Sequence, residues 1–223
     1  MTPKPPEYHK RILVSDFDGT MTRFDFFQIA RRYLPSAAEH DYWQDYLDGK
    51  ISHFEALSAI FAAIRTDFAG MENVMARMEL DPTLHDSVTR MESAGWKIIV
   101  ASAGCDWYIR RLLKKAGLAL EVHANPGVFT PENGLRLSLP TDSPYFIRDR
   151  GIDKEAIVRA ALARDPKAAF AGDGRPDIEA AMHVSGSRLF ARGMLADHLT
   201  ENGRPFHLFE NWKQIADTLL DQK

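Results

Sequence analysis

The sequence predicts an α/β fold, and two observations carry that prediction. Three short apolar runs are each followed by small or polar residues: RILVSDFDGT (11–20), WKIIVASAG (96–104) and AAFAGDGRPD (168–177). Runs of this kind, β-branched and followed by glycine, are typical of buried parallel strands. Helical patterns lie between them, and strands that alternate with helices form a parallel sheet with right-handed crossovers. We therefore expect a Rossmann-like open parallel sheet.

The remaining elements follow from local signals. Two further strands are predicted at LEVHAN (120–125) and RLFAR (188–192), and a hairpin with a turn at Asn133-Gly134 is predicted within 123–145. Helices are predicted at Pro82–Ala94, Asp106–Ala116, Lys154–Ala163, Ile178–Val184 and 211–220, with Asp106 and Asp153 as N-caps and Gly95 and Gly117 after C-terminal ends. Residues 1–11 read as a short extended tail.

One spacing departs from the alternation. Sixty residues separate Thr20 from Asp81, whereas a whole βαβ unit takes about thirty. The stretch is rich in Phe, Tyr, Ala and Met and has few turn signals, which predicts several helices. Because it leaves directly from the DFDGT loop, we expect a helical cap over the site; the alternative is extra helices on the sheet edge. The predicted domains are a core of 1–22 and 80–223 and a cap of 23–79.

Composition narrows the class of protein. The chain has 223 residues, 45% hydrophobic and 26% charged, with a net charge of −3, so nothing in its charge points to nucleic acid or an anionic membrane. Its one cysteine, Cys105, excludes an internal disulfide and suits a reducing compartment. The N-terminus lacks the apolar core of a signal peptide, and no apolar run approaches the ~18 residues of a membrane helix. We expect a cytoplasmic protein; its oligomeric state is left open.

The polar residues at the strand ends point to a metal site. Asp16 and Asp18 follow the first strand, and Asp173 and Asp177 follow another. In open α/β sheets, ligands bind outside the carboxyl ends of the strands, so these side chains are expected to meet. Two like charges this close are explained by a divalent cation such as Mg²⁺, which prefers carboxylates, waters and substrate phosphate oxygens.

That arrangement favours phosphoryl transfer. A carboxylate can attack phosphorus to form an aspartyl-phosphate, while a neighbouring carboxyl, Asp18, protonates the leaving oxygen and later deprotonates water. The transferred group also needs positive charge and hydrogen-bond donors. Ser102, before the helix from Asp106, fits the donor role. Lys154 fits the lysine role, with Lys167 as the alternative.

The motifs DxDGT, Ser after the second strand, a helical Lys and GDxxxD resemble the haloacid dehalogenase-like phosphatase superfamily, in order from Asp16 to Asp177. The resemblance implies that Asp16 is the nucleophile and Asp18 the general acid/base. It implies Mg²⁺ held by Asp16, the Asp18 main-chain carbonyl and Asp173, with Asp177 in support. The phosphate would be gripped by Ser102, Lys154, Thr20 and Ala103. The insert would be the family's helical type of cap.

The segments DFDGTMTRFD, SAGCDWYIRRLL, GDGRPDIEAA and LFAR look like the 2-hydroxy-3-keto-5-methylthiopentenyl-1-phosphate phosphatases of methionine salvage. They also resemble phosphocholine/phosphoethanolamine and phosphoserine phosphatases. Some salvage-type relatives carry a cysteine-rich stretch where this chain has TDSPYFIRDRGIDK (141–154). Asp18 argues against dehalogenation. The sequence thus predicts hydrolysis of a small-molecule phosphate ester, with a phosphomutase and a non-catalytic phosphate-binding protein as alternatives.

Overall fold

The structure of the chain is a computed structural model that describes residues 11–222; the predicted tail lies almost wholly outside the described residues. The strands are β1 (Arg11–Ser15), β2 (Trp96–Cys105), β3 (Glu121–Asn125), β4 (Gly127–Thr130), β5 (Gly134–Leu137), β6 (Phe146–Ile147), β7 (Gly151–Ile152), β8 (Ala169–Gly172), β9 (Leu189–Ala191) and β10 (His207–Leu208). The helices are α1 (Phe26–Tyr33), α2 (Tyr42–Leu47), α3 (His53–Ala62), α4 (Phe68–Ala76), α5 (Leu84–Ser93), α6 (Asp106–Lys115), α7 (Lys154–Arg164), α8 (Ile178–Ala181), α9 (Gly193–Glu201) and α10 (Trp212–Asp221).

Six strands form one parallel sheet in the order β10-β9-β8-β1-β2-β3. The central strand β1 is buried on both faces: Leu13 packs into one apolar cluster, and Ile12 and Val14 pack into the other. A strand that is covered on both faces needs a continuous apolar run rather than an alternating one. The predicted α/β fold with a Rossmann-like parallel sheet is therefore confirmed.

The sheet register brings the polar loops to one edge. Ser15 pairs with Val100 of β2 and with Ala171 of β8, and the backbone N–H of Asp16 continues the pairing by donating to the Ala171 carbonyl at 2.9 Å. Parallel strands place their carboxyl ends on the same side, so the loops after β1, β2 and β8 converge there.

Most predicted helices agree with the structure to within two residues, and Asp153 caps α7 by accepting a hydrogen bond from the Ala156 N–H. Two predictions were wrong in detail. Asp106 is the first residue of α6 rather than its N-cap, which is Cys105, and its carboxylate accepts from the Gly127 N–H. The predicted helix Ile178–Val184 is shorter, because after Ala181 the backbone bonds tighten to three-residue turns.

The hairpin of β4 and β5 is present, although Gly134 is the first residue of β5 and the turn spans 131–133. Three elements had no counterpart in the sequence-based prediction: the short β6–β7 pair, α9 and the edge strand β10. The shortness of β6, β7 and β10, two residues each, explains why no apolar run marked them.

The insert contains α1 to α4 and leaves and rejoins the sheet at neighbouring points. Thr22 forms a bridge with Leu80, and the Arg23 N–H donates to the Met78 carbonyl. Helix α3 begins with a capping box in which Ser52 and Glu55 satisfy each other's backbone N–H groups. The boundaries of core and cap stay a prediction. Across the described residues, no helix is both long and apolar enough to cross a membrane.

Candidate active site

A cavity of about 390 Å³ lies between the carboxyl ends of the strands and the insert. Its floor includes Asp16, Asp18, Ser102, Lys154 and Asp173, and its opposite wall includes Phe27, Trp43, Tyr46, His53, Leu57 and Phe61. The insert thus contributes one wall of the cavity that the strand ends form.

An ion-pair chain lies at the floor of this cavity. The Lys154 ammonium is 2.7 Å from Oδ1 of Asp16 and 2.6 Å from Oδ1 of Asp177, and all three side chains are nearly inaccessible to solvent. Lys154 is buried because it opens α7, directly after the Asp153 cap and over the end of β1. Lys167, the alternative, is exposed and does not line the cavity.

Asp173 is placed by a short network around the β8 loop. Oδ2 of Asp177 accepts from the N–H groups of Asp173 and Gly174, and the Thr20 hydroxyl donates to Oδ1 of Asp173 at 3.1 Å. Gly19 has a positive φ of 72°, and a Cβ at that position would collide with the Asp173 carboxylate. The glycine of DFDGT is therefore required both for the turn and for the approach of the two loops.

Asp16, Asp173 and Asp177 offer carboxylate oxygens that lie within 4.8 Å of one another, a spacing that could hold a metal ion. Burial raises the pKa of Asp16 to about 8 and that of Asp173 well above its usual range. The cluster carries three carboxylates against the one ammonium of Lys154, so a cation would relieve the remaining repulsion. An all-oxygen donor set suits a hard divalent cation.

Asp18 points away from that cluster. Its Oδ2 accepts from the Tyr108 hydroxyl at 2.7 Å and from the Ser102 hydroxyl at 3.4 Å, and its Oδ1 accepts from the Phe26 N–H at 3.0 Å. Burial raises the pKa of Asp18, against the lowering effect of these hydrogen bonds. Two neighbouring carboxyls are thereby given different surroundings, which is how enzymes separate the roles of paired acids.

The loop at the end of β2 is compact. The Ser102 hydroxyl accepts from the Gly104 N–H at 3.0 Å, and Ser102, Ala103 and Gly104 all line the cavity. A Cβ on Gly104 would collide with the Tyr108 hydroxyl and crowd the Asp18 carboxylate. Glycine at this position therefore permits the contact between Tyr108 and Asp18.

Of the residues predicted to form the site, Asp16, Asp18, Ser102, Ala103, Lys154 and Asp173 line the cavity. Thr20 and Asp177 lie just behind it and contact Asp173. The roles assigned to these eight residues stay predictions.

Three contributors escaped sequence reasoning. His53 lies in the helical insert, whose aromatic residues are typical of an ordinary core, so no linear signal marked it. Tyr108 was included only within the SAGCDWYIRRLL segment. Arg192 was included only within the LFAR segment; its guanidinium donates to the Gly19 and Thr22 carbonyls at 2.5 Å and so holds the DFDGT loop.

Comparisons with known proteins agree with this geometry. The family model of the haloacid dehalogenase-like hydrolases matches residues 13–182. The "Bifunctional enzyme MtnB/MtnX" of Bacillus licheniformis is 27% identical over 94% of this chain and 49% of its own length, so the chain spans about half of that protein. The 2-hydroxy-3-keto-5-methylthiopentenyl-1-phosphate phosphatase of Lysinibacillus sphaericus is 24% identical over 95% of this chain and 96% of its own.

Among solved structures, the HAD family hydrolase t0658 of Salmonella enterica serovar Typhi superposes with a TM-score of 0.71 at 19% identity, covering 99% of this chain and 74% of its own. That likeness shows the fold. The family match covers most of the chain, from the first strand to α8, and confirms the predicted family and the prediction of an enzyme. The chain belongs to the haloacid dehalogenase-like hydrolases.

Proposed function

We propose that the chain is a Mg²⁺-dependent phosphatase that hydrolyses a small-molecule phosphomonoester through an aspartyl-phosphate at Asp16. The observation that carries the proposal is the separation of two buried acids at one cavity: Asp16 is bound to Lys154, whereas Asp18 is bound to neutral hydroxyls and a backbone N–H. One acid is thus suited to attack and the other to carry a proton.

In the first step, a carboxylate oxygen of Asp16 attacks phosphorus, and the bond from phosphorus to the ester oxygen breaks. Burial raises the pKa of both acids, but the Lys154 ammonium beside Asp16 favours its ionised form. Asp18, which contacts hydroxyls and a backbone N–H instead, gives its proton to the departing oxygen. In the second step, Asp18 takes a proton from a water molecule that attacks the same phosphorus, and Asp16 is released as a carboxylate. Atoms and charges balance over the two steps, and the products are an alcohol and phosphate.

The predicted metal ligands are Asp16, Asp173 and the main-chain carbonyl of Asp18, supported by Asp177. Their carboxylates fit such an ion because they are crowded, buried and oxygen-only. When bound, Mg²⁺ supplies positive charge to the phosphoryl oxygens. The chain's own residues hold the loops in place. Asp177 accepts a hydrogen bond from the Asp173 N–H and forms an ion pair with Lys154, so its carboxylate fixes Asp173 and Lys154 relative to each other.

The phosphate would be held by Lys154, by the Ser102 hydroxyl and by donors of the Thr20 and Ala103 positions. Ser102 and Ala103 belong to the tight β2 loop and line the cavity. The Lys154 ammonium lies 2.7 Å from Oδ1 of Asp16, beside the carboxylate that is proposed to receive the phosphoryl group. Fixed donors of this kind stabilise the charge that develops during transfer.

The first candidate substrate is 2-hydroxy-3-keto-5-methylthiopentenyl-1-phosphate. This proposal is supported by the name of the Lysinibacillus sphaericus relative, which matches this chain over nearly the full length of both proteins. It is also supported by the mainly apolar wall that the insert gives to the cavity.

The test is phosphate release from a panel of small phosphomonoesters, with Mg²⁺ or with EDTA. The panel contains the candidate substrate, phosphoserine, phosphocholine and sugar phosphates, and the Asp16→Asn variant is assayed beside the natural protein. We expect metal-dependent release that Asp16→Asn lacks. Release that survives EDTA, or that Asp16→Asn retains, would contradict the proposed mechanism.

A further inference from the structure

Within the described residues, the side chains of the helices α1, α2 and α3 that line the cavity carry no charge; Asp25, which precedes α1, is the charged lining residue of the insert. The cavity-lining side chains of α1, α2 and α3 are Phe27, Gln28, Trp43, Tyr46, Leu47, His53, Leu57 and Phe61. Most are aromatic or aliphatic, and Phe27 stacks on Trp43 with ring centres 4.2 Å apart. Apart from Asp25, which directly precedes α1, the charged side chains that line the cavity belong to the core: Asp16, Asp18, Lys154, Asp173 and Arg175.

His53 is the polar exception that stands out in this wall. It is 4% exposed, and its ring makes edge contacts with Trp43 and Tyr46 at 5.6 and 5.3 Å. Its Nδ1 is shielded and has no hydrogen-bond partner among the described residues. Burial lowers the pKa of His53 to about 3, so the ring is neutral. An unpaired buried N–H is rarer than an unpaired acceptor, so we assign the single proton to Nε2.

The charges around His53 are all of one sign. Lys154 and Arg150 both act to lower its pKa, and no carboxylate opposes them. Burial raises the pKa of Asp25, and the charged groups that also affect this pKa belong to the core: Asp18, Lys154, Asp177 and Arg192. Asp25 directly precedes Phe26, whose N–H donates to Asp18, so it lies at the phosphate end. The two cations that act on His53 are already paired, Lys154 with Asp16 and Asp177 and Arg150 with Glu179. The end near His53 therefore offers no unpaired charge as a partner for a charged ligand.

Resting on the proposed phosphatase reaction, we propose that the cap side of the cavity selects esters whose organic group is uncharged and mainly apolar, and that His53 donates a hydrogen bond to an oxygen on that group. An anionic or a quaternary ammonium end would lose its hydration here without gaining a counter-charge. An apolar end gains contact with the aromatic wall, and a carbonyl or hydroxyl oxygen pairs with the neutral imidazole.

Binding of non-hydrolysable phosphonates separates this proposal from the reaction itself. Four probes share a three-carbon tether from phosphorus: (4,4-dimethylpentyl)phosphonate, (3-trimethylammoniopropyl)phosphonate, 4-phosphonobutanoate and (4-oxopentyl)phosphonate. The first two are isosteres that differ only in charge. In calorimetric titrations of the full chain with Mg²⁺ present, we expect both neutral probes to bind at least about tenfold more tightly than either charged probe.

The role of His53 is tested by His53→Phe, which keeps an aromatic ring of similar size. The comparison uses (4-oxopentyl)phosphonate and (4-methylpentyl)phosphonate. The first carries a carbonyl oxygen where the second carries a methyl group. In the natural protein the oxo probe should bind about tenfold more tightly, and in His53→Phe this ratio should fall towards one. His40→Phe is the matched control: His40 is exposed, does not line the cavity and should leave the ratio unchanged. Because each ratio is measured on one preparation, a loss of folded protein cancels.

Equal or tighter binding of the ammonium or carboxylate probe would overturn the proposed selection. A ratio unchanged by His53→Phe would overturn the role of His53. If the neutral probes bind as expected but none of their phosphate esters is hydrolysed, the proposed function fails while the assignment of the pocket stands. If esters are hydrolysed without preference for neutral groups, the reaction stands and the selection fails.

Discussion

The Tyr108 hydroxyl donates a hydrogen bond of 2.7 Å to Oδ2 of Asp18. The Tyr108 ring also stacks on Phe26 at 4.3 Å, and the Phe26 N–H donates to Oδ1 of the same carboxyl. Asp18 is thus held from both sides by residues that themselves pack together, one from α6 and one from the first helix of the insert. This links the position of the proposed general acid/base to the packing of the insert against α6.

Replacing Tyr108 by Phe removes the hydroxyl and keeps the ring that stacks on Phe26. We expect kcat to fall about tenfold, since a hydrogen bond to an ionisable group contributes about 1.5 kcal/mol. The free energy of unfolding should change by much less than it would for Tyr108→Ala, which also removes the stack. Steady-state kinetics with a saturating ester, beside urea unfolding, measures both. A kcat equal to that of the natural protein would show that the hydroxyl does not position Asp18.

Replacing Lys154 by Ala leaves the buried carboxylates of Asp16 and Asp177 without their ammonium. Breaking a buried ion pair from one side costs about 3 kcal/mol of stability, and the proposed phosphate contact is lost as well. We expect kcat/KM to fall far more in Lys154→Ala than in Lys167→Ala, since Lys167 is exposed. A larger loss of kcat/KM in Lys167→Ala than in Lys154→Ala would assign the phosphate contact to Lys167 instead.

Because His53 is buried, we expect the protein to lose stability as the pH falls. Its pKa falls from an ordinary 6.5 to about 3 on folding, so between these values the unfolded chain binds a proton that the folded chain does not. Stability conferred by the neutral ring is therefore complete above pH 6.5 and is lost as the pH falls. From pH 7 to pH 5 the loss amounts to about 2 kcal/mol.

Urea unfolding of the natural protein and of His53→Phe at several pH values isolates this contribution. The difference in unfolding free energy between the two proteins should change in favour of the variant as the pH drops. A difference that does not vary with pH would mean that His53 is protonated in the folded state at the same pH as in the unfolded chain.

Removal of metal should lower the stability of the folded chain. A ligand that binds only the folded state raises its stability by about 1.4 kcal/mol at ten times its dissociation constant. We expect Mg²⁺ to raise the melting temperature in a concentration-dependent way and EDTA to reverse the rise. Asp173→Asn should abolish most of the effect, and Asp86→Asn, at an 89% exposed carboxylate, should not. An equal response in all three proteins would place the ion elsewhere.

Much of the site could be predicted because its signals are local. Asp16 and Asp18 lie two residues apart, Asp173 and Asp177 four apart, and parallel topology alone brings such strand ends together. The sequence favours Lys154 over Lys167 by its position, and Lys154 is the buried one of the two.

The residues that could not be predicted depend on packing between distant segments. Tyr108 reaches Asp18 across 90 positions of sequence, and its spacing on α6 is that of a core residue. His53 faces the cavity only because of how α2 and α3 pack on each other, which periodicity does not define. The end of α8 at Ala181 also escaped prediction, because the apolar pattern continues to the buried Val184 through turns that are no longer α-helical.

The central claim is that Asp16 carries the phosphoryl group, and trapping of that intermediate tests it most directly. The protein is mixed with an ester that it hydrolyses, in the presence of Mg²⁺, and the reaction is quenched in acid within one turnover. The protein is then digested, and its peptides are analysed by mass spectrometry. Asp18→Asn is examined as well, with an aryl ester whose phenolate departs without a proton. Loss of Asp18 should then slow mainly the second step and let the intermediate accumulate. We predict a phosphoryl group on the peptide that contains Asp16, absent from Asp16→Asn. A phosphoryl group on another peptide, or turnover with no phosphorylated protein in either form, would contradict the account.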